Sequence, residues 1–600
     1  MNAACRANAE AVTVAEPSIQ DVLERLFASV RYRDALTVLD GASGAIAPGM
    51  VAGWRRRLLA NLGDFEAALC AAREAVACNP EFADEHFRLA EILARCGRYA
   101  DAFVAARNVY EMDSTDIRPL AVCVEAALAD PSLRPAFLSW SNRSGHSGTA
   151  LAAAPLGGPS SGILLPVGRA AFSSLDGNHP DALSTIHSAQ ELPFCLASSA
   201  PGGALAALSS GFAHCVRVCD ALTAIHPLVD HATAARYVGQ RALSLLDDGQ
   251  GAAVDLLPTL PMTVGQRPYV LLFDLIPALF QPFEPYVRHG ISASRSPLYW
   301  IVRAFLESSH CVSIYSPYQK AQSLLGRFFK SPVIERKTTL VDHVRPTAAR
   351  SATTSLACGD GLRRPDQPTL LFTASAINPQ TKFYLRGGAY VLKLFEALSN
   401  RFPNLRLILR TPLPDTLAPA LRDVALNHPN VHHIDRELSY EEYLAMFQKS
   451  HIFLSPSAAL YMNSALNAMR HGAVPVITDA FGSPDLIRHD RNGVLVPMPP
   501  EAVAMDAENG EFSQDLRVFM DAEALGSRSF LDRLSDAVAG LLENPERLQR
   551  LSRQAMDDVA QGFPGCPTGT PMSEILERAL SDGKNVILRG EGIDFLKAPL

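Results

Sequence analysis

The chain has 600 residues, more than one ordinary hydrophobic core organises, so three or four compact units are expected. Hydrophobic residues make up 48%, and the net charge of -8 with a pI near 6.1 excludes a disordered chain and a dedicated nucleic-acid binder. The 11 cysteines are scattered and odd in number, and most sit in apolar helical runs such as those of Cys70, Cys78, Cys96 and Cys123. That fits reduced thiols better than a disulfide framework.

In chain order, residues 1–18 lack the charged-then-apolar layout of a secretory signal and read as a disordered N-terminus. Residues 19–140 carry a repeat. Gly63, Phe65, Ala68, Ala75 and Pro80 recur 34 positions later as Gly97, Tyr99, Ala102, Val109 and Ser114. A degraded earlier copy surrounds Tyr32 and Ala35. Small Ala68 and Ala102 let paired helices approach, Phe65 and Tyr99 fill the space after the turn glycines, and Pro80 ends a helix. The period and pattern resemble the tetratricopeptide repeat. Two uses follow: a groove for a protein partner, or a structural cap or dimerisation surface on the rest of the chain.

Residues 141–162, rich in Ser, Gly, Ala and Pro, read as a linker. Residues 163–350 are expected to form a first α/β lobe. Helices are expected at 231–247 and 296–308, and strands at Tyr269–Asp274 and Cys311–Tyr315. The apolar stretch Gly203–Ile225 is interrupted by His214, Arg217 and Asp220, so no uninterrupted run of about 18 residues marks a membrane span. The expected location is cytoplasmic, with at most peripheral contact at the inner membrane face. His214, Cys215 and Cys219 share a helix face, but no second ligand cluster matches them, and packing is the preferred reading.

A second linker spans 351–366. From 367 to 500, apolar runs begin near Leu370, Leu405, Val431, Ile452, Val474 and Val494. Helical segments lie between them at 387–400, 414–426, 440–449 and 464–471. This alternation predicts a doubly wound α/β lobe. Ser439 and Glu442 make a capping box for the helix at 440–449. Residues 501–600 are read as closing helices over 515–560 followed by a tail with no recognisable pattern.

The most informative stretch is 451–496. His451-Ile-Phe-Leu-Ser-Pro-Ser457 is a strand ending in a loop. Ala465-Leu-Asn-Ala-Met-Arg-His-Gly472 is a helix and turn, and Val474–Ile477 is a second strand. Phe481-Gly-Ser-Pro-Asp485 is a loop ending in an acid, and Asn492-Gly-Val-Leu-Val496 follows. This order and spacing resemble the donor-binding half of the GT-B glycosyltransferases, specifically the family-4 nucleotide-sugar transferases. Phe530–Leu548 is similar to the closing helices of that family. The resemblance implies an α/β two-lobed GT-B architecture, two Rossmann-like domains preceded by the all-α repeat region. It also implies transfer of a sugar from a nucleotide-sugar donor to a glycan, lipid-linked or protein acceptor. Retention of configuration is implied too, with no metal and no cofactor beyond the donor as co-substrate.

Carried over residue by residue, Lys382-Phe-Tyr-Leu-Arg-Gly-Gly388 takes the family's phosphate-gripping place. Arg386 stands where the family has Lys, and Gly387 and Gly388 offer close backbone approach at a helix N-terminus. The family's upstream Arg is absent, with Ala374 and Ser375 there instead, and Lys382 or Arg410 are the substitutes. The two family glutamates map to Ala459 and Asn467, so both acids are lost. Asn463 and Ser464 are polar candidates whose bland alternative is helix N-capping. Gly482 and Asp485 occupy the family's Gly-Gly-x-x-Glu loop, and Asp485 keeps an acid for ribose or a sugar hydroxyl. Asp274, at the end of Val270–Phe273, is the acceptor-side candidate. His226 and His310 are isolated histidines for which the sequence suggests no catalytic task.

Arg386, Asn467 and Asp274 are therefore the expected catalytic set. The competing reading is a degenerate GT-B protein that binds or scaffolds through its repeats, motivated by Ala459 and Asn467. A protein O-glycosyltransferase gripping polypeptide with its repeats is a third reading, but nothing in the second lobe resembles that family's motifs.

Overall fold

A computed structural model describes residues 19–588 apart from 29–31, 43, 145–161, 165–200, 244–251, 259–262, 265–266, 274–275, 281–295, 342–365, 375–382, 415–416, 437, 458–461, 481, 500–502, 506–511, 515–526 and 564–568. The N-terminal stretch 1–18 and nearly all of the linker at 351–366 lie outside the described residues.

Eight helices come first: α1 Ile19–Ala28, α2 Tyr32–Gly41, α3 Pro48–Leu62, α4 Phe65–Cys78, α5 Ala83–Arg95, α6 Tyr99–Met112, α7 Arg118–Ala129 and α8 Arg134–Ser144. The offset of 34 in the sequence is also an offset in space. Helices α4 and α6 start at Phe65 and Tyr99 and end at Cys78 and Met112, each closing a hairpin. Gly63 and Gly97 turn those hairpins at φ 82° and 71°, a region that disfavours any residue with a Cβ. Ala68, Ala72 and Ala75, and then Ala102, Ala106 and Val109, are buried between helices. Residues 141–144, expected as linker, are the last turn of α8, with Ser141 fully buried.

Helices α9 Pro201–Thr223 and α10 His231–Ala242 fall in the span expected for the first lobe, but they pack on the helical array. Helix α10 lies along α7 so closely that a Cβ on Gly239 would stand 2.9 Å from the Glu125 Cα. The helix expected at 231–247 is present over His231–Ala242, but it extends the array. The segment Ala204–Thr223 is the one described helix long and apolar enough to cross a membrane. Its face of Leu205, Leu208, Phe212, Cys215, Val218, Cys219 and Leu222 is buried in the protein core. His214 Nε2 lies 2.9 Å from the Val264 carbonyl, and no metal-binding group of His, Cys, Asp or Glu occurs among the described residues.

The first lobe is a parallel sheet in the order β1 Gly162–Leu164, β2 Ala252–Pro258, β3 Tyr269–Leu272, β4 Cys311–Ser316, β5 Thr338–Leu340. Helices α11 Pro297–Glu307, α12 Ala321–Phe328 and α13 Pro332–Lys337 belong to it. Tyr237 of α10 meets Phe305 of α11 with ring centroids 5.4 Å apart, joining array and lobe.

The second lobe has six parallel strands: β6 Thr369–Thr373, β7 Arg406–Arg410, β8 Val431–Ile434, β9 Ile452–Ser455, β10 Val474–Thr478 and β11 Val494–Val496. Strands β6, β9 and β10 are buried along their whole length, as the β-branched and leucine runs of a sheet covered on both faces require. Between the strands lie α14 Gly388–Arg401, α15 Pro419–Asn427, α16 Tyr440–Lys449, α17 Met462–Arg470 and the single turn α18 Ser483–Leu486. The capping box forms as the sequence predicts: Ser439 Oγ accepts from Glu442 N at 3.2 Å, and Glu442 Oε2 accepts from Ser439 N at 2.9 Å.

A short antiparallel pair follows, β12 Val503–Met505 with β13 Phe512–Gln514. The closing helical stretch is two helices, α19 Ser527–Leu542 and α20 Pro545–Ala560. They are separated where Asn544 caps α20 and Pro545 cannot continue α19. The tail, which showed no pattern in sequence, returns to the first lobe. Thr570 N donates to Leu340 O at 2.8 Å, and α21 Met572–Leu588 lays Ile575 and Ala579 over Val254, Val270, Leu272 and Tyr315. Without this helix one face of the first sheet would stand bare. The result is a helical region followed by two Rossmann-like α/β lobes, the expected GT-B layout.

Candidate functional site at the strand-order reversal of the second lobe

The second sheet runs β11-β10-β9-β6-β7-β8. Strand order reverses between β6 and β9, and ligands in open α/β sheets bind beyond the strand C-termini at such a reversal. Strand β6 ends at Thr373 and β9 at Ser455, so this topology alone locates a site.

The turn before α14 sits in that position. Arg386 Nη1 donates to Thr373 O at 3.5 Å, and Arg410 Nη1, from the end of β7, donates to Ala374 O at 3.1 Å. Two guanidinium groups thus stand at neighbouring carbonyls where β6 stops. Gly387 caps α14 at φ 83°, and a Cβ there would lie 2.2 Å from Pro456 O. A Cβ on Gly388 would meet the Phe383 ring at 2.5 Å. Their place in the sequence suggests that both glycines serve phosphate approach. Protein atoms already require them: Pro456 fills one position and Phe383 the other.

The Ser-Pro-Ser loop is held rigidly. Ser457 N donates to Ser455 O at 2.8 Å, the two hydroxyls lie 3.1 Å apart, and the Thr478 hydroxyl donates to Ser457 O. The Thr373 hydroxyl beside it is buried and makes no hydrogen bond.

Helix α17 presents Asn463, Ser464 and Asn467. Asn463 and Ser464 are its second and third residues, so neither caps it. Ser464 Oγ lies 3.5 Å from the Tyr443 hydroxyl of α16. Asn467 is half-buried, and its Oδ1 accepts from Arg470 Nη1 at 3.2 Å, as residues three apart on a helix allow.

Gly482 and Asp485 touch the other lobe. Gly482, at φ 84°, would put a Cβ 2.3 Å from the Tyr318 ring, and Asp485 Oδ2 accepts from Gln319 N at 2.9 Å. Burial pushes the Asp485 carboxyl above its ordinary range, against the opposing effects of the Gln319 bond and the Lys320 charge. Tyr318 and Gln319 lie between β4 and α12. Nothing in their spacing announces a contact with residues 482–485.

Asp274, Lys382, Ala459 and Phe481 lie outside the described residues. His226 is stacked on Trp300 at 3.8 Å, and its Nδ1 accepts from Leu228 N at 3.1 Å, which gives it a packing role. His310 is buried at the start of β4, where its carbonyl accepts from Tyr269 N at 2.7 Å.

Asn492, noted only as part of a motif, proves to be a fully buried anchor. Its Nδ2 donates to Leu486 O at 3.2 Å and to Asp558 Oδ2 of α20 at 2.9 Å, and its Oδ1 accepts from Arg488 N at 2.8 Å.

The family model of glycosyl transferases group 1 matches residues 367–509. The matched span contains Arg386, Arg410, Asn467 and Asp485, and supports sugar transfer as the activity class. No curated protein matches the sequence. Among solved structures, sucrose-phosphate synthase from Thermosynechococcus elongatus is similar at 14% identity and a TM-score of 0.36, covering 59% of this chain and 78% of that one. An O-GlcNAc transferase variant from Thermobaculum terrenum is similar at 12% identity and a TM-score of 0.32, covering 96% and 98%. HepE from Anabaena, solved in complex with UDP and glucose, is similar at 13% identity and a TM-score of 0.32, covering 60% and 75%.

Proposed function

We propose that the protein transfers a sugar from a nucleotide-sugar donor to a glycan, lipid-linked or protein acceptor, with retention and without a metal. The observation that carries this reading is the pair Arg386 and Arg410 at the end of β6, beside the N-terminus of α14 and at the strand-order reversal. A leaving diphosphate needs positive charge held in place before the bond breaks. Two planar guanidinium groups, Arg410 at the end of β7 and Arg386 in the turn before α14, with a helix dipole pointing at the same place, supply it. In this reading Arg410 stands in for the missing upstream Arg. Asp485 takes a ribose or sugar hydroxyl, and Asn467 offers its amide where the family has an acid. The repeats then serve a protein partner or acceptor.

The test is calorimetric titration of UDP, GDP and ADP against the full chain, followed by donor hydrolysis assays. One diphosphate should bind, and Arg386→Ala and Arg410→Ala should each weaken it about tenfold or more, the loss of a charge-assisted pair. Unchanged affinity in both variants would remove the diphosphate from this site. A second reading, binding without turnover, is favoured by Asn467. It has a single acceptor oxygen, which already receives a bond from Arg470, where the family has a carboxylate, and the position of the other family glutamate is Ala459. Nucleotide binding with no hydrolysis or transfer across a donor panel would select it.

A further inference from the structure

Four residues make a contact between the second lobe and the first. Tyr318 and Gln319 lie in the connection after β4, and Gly482 and Asp485 in the loop after β10. The Tyr318 ring is 3% exposed and occupies the space a side chain at 482 would need. The Gln319 N–H, two residues before α12, donates across the interface to Asp485 Oδ2 at 2.9 Å. Asp485 is the one acid of the loop at 481–485. A ligand hydroxyl that takes the place of Gln319 on Oδ2 costs the interface that bond, whereas Oδ1 is a second acceptor on the same carboxylate.

We propose that Tyr318, Gln319, Gly482 and Asp485 form a latch that sets the separation of the two lobes, and that a nucleotide donor takes the Oδ2 of Asp485 in place of Gln319 and so opens it. The second half rests on the function proposed above; the first does not. Tyr318 and Gln319 are then positioning residues, acting on the donor loop through Gly482 and Asp485. Linkage makes the effect reciprocal: whatever loosens the latch without touching the carboxylate strengthens donor binding.

The experiment is hydrogen exchange at the Gln319 amide in the full chain, with the exchange of β6 and β9 as an internal control. In the nucleotide-free protein, Tyr318→Ala and Asp485→Ala should each raise exchange at Gln319 about tenfold, the loss of one charge-assisted hydrogen bond. The strands should keep their protection. If Gln319 exchanges at the wild-type rate in both variants while the strands stay protected, there is no latch. If a variant loses strand protection as well, Tyr318→Leu and Gly482→Ala replace it, perturbing the contact from either side, and the same reading of Gln319 decides. Saturating UDP should speed exchange at Gln319 in the wild type, and Tyr318→Ala should bind UDP severalfold more tightly. UDP that binds and slows exchange there overturns the coupling. A chain that binds no nucleotide diphosphate defeats the sugar-transfer reading, while the nucleotide-free variants still decide the latch.

Discussion

Gly387→Ala tests the assembly of the site more sharply than the removal of any charged residue. Two separate penalties apply. Gly387 holds φ at 83°, where an L residue costs about 1–2 kcal/mol. The added methyl would also stand 2.2 Å from Pro456 O and 2.6 Å from its ring, and Pro456 is fixed between two hydrogen-bonded serines. Overpacking of that kind costs about 1–3 kcal/mol. The sum is about 2–5 kcal/mol, delivered where α14 meets β9. Gly63 supplies the comparison: it holds φ at 82° but has no atom within 4 Å of its Cβ position. Gly63→Ala should therefore cost only the conformational part, about 1–2 kcal/mol.

A chain with several cores does not unfold in one step, so a global midpoint would mix unrelated transitions. Local hydrogen exchange separates them. The Val391 amide, bonded to Gly387 O at 3.0 Å, reports the first. The Asp64 amide, bonded to Leu59 O at 3.0 Å, reports the second. Gly387→Ala should lower the opening free energy at Val391 by clearly more than Gly63→Ala lowers it at Asp64. Equal losses would mean that Pro456 does not press on Gly387, and the site as built here would be wrong.

Two further predictions concern stability. Burial pushes Glu125, with Arg95 pulling the other way and Glu91 adding to the rise, from 4.5 to about 7. An acid with a raised folded-state pKa binds more protons folded than unfolded, so stability falls as pH rises from about 4.5 to about 7, by on the order of 3 kcal/mol. Glu125→Gln should flatten the pH dependence of array unfolding across that window, read by circular-dichroism melts; a slope equal to wild type would contradict it. Asn492→Ala leaves the buried Asp558 with Arg491 and Gln554 but without its amide partner. That should cost about 3 kcal/mol, seen as early proteolysis between the second lobe and α20; protection equal to wild type would show that the anchor is dispensable.

Regular features of the fold were legible, and features made by distant pairs were not. Five of the six strands of the second lobe announce themselves as mostly buried β-branched or leucine runs between helical spacings, and the sixth, Val431-His-His-Ile434, lies at the sheet edge and is only part-buried. Leu370, Val431, Ile452, Val474 and Val494 all fall in strands. The repeat is legible because Gly63 and Gly97 mark positive φ and the alanines mark helix contact. By contrast, α10 carries no local sign that it joins the array; only the approach of Gly239 to Glu125 decides that. The tail was unreadable because α21 pairs with a sheet more than 200 residues earlier, at Val254 to Tyr315. At the site, Arg386 could be found from its neighbours, since a basic residue before a Gly pair at a helix start is a local signal. The position of Arg410 beside it comes from the pairing of β6 with β7, Thr373 opposite Arg410. The crossing from Asp485 to Gln319 comes from how the lobes meet, which no spacing encodes.

What Asn467 does separates turnover from mere binding. Its Oδ1 already accepts from Arg470 Nη1 and keeps one lone pair, so Nδ2 is the group it offers a sugar in this prediction. A donor N–H replaces the acceptor oxygens of an acid, so the sugar atom it meets must be an acceptor. Asn467→Asp keeps the partner for Arg470, indeed strengthens it, and removes only the donor. If Asn467 holds the sugar, this variant should raise KM for the nucleotide sugar about tenfold, one lost hydrogen bond plus the repulsion of a lone pair, with affinity for the free nucleotide diphosphate unchanged. Parallel titrations of the diphosphate and the intact donor measure the two terms separately. If both affinities stay at the wild-type value, the helix α17 face carries no sugar contact at this position. Recognition would then rest on the diphosphate alone, and the case for binding without transfer would gain the ground that catalysis lost.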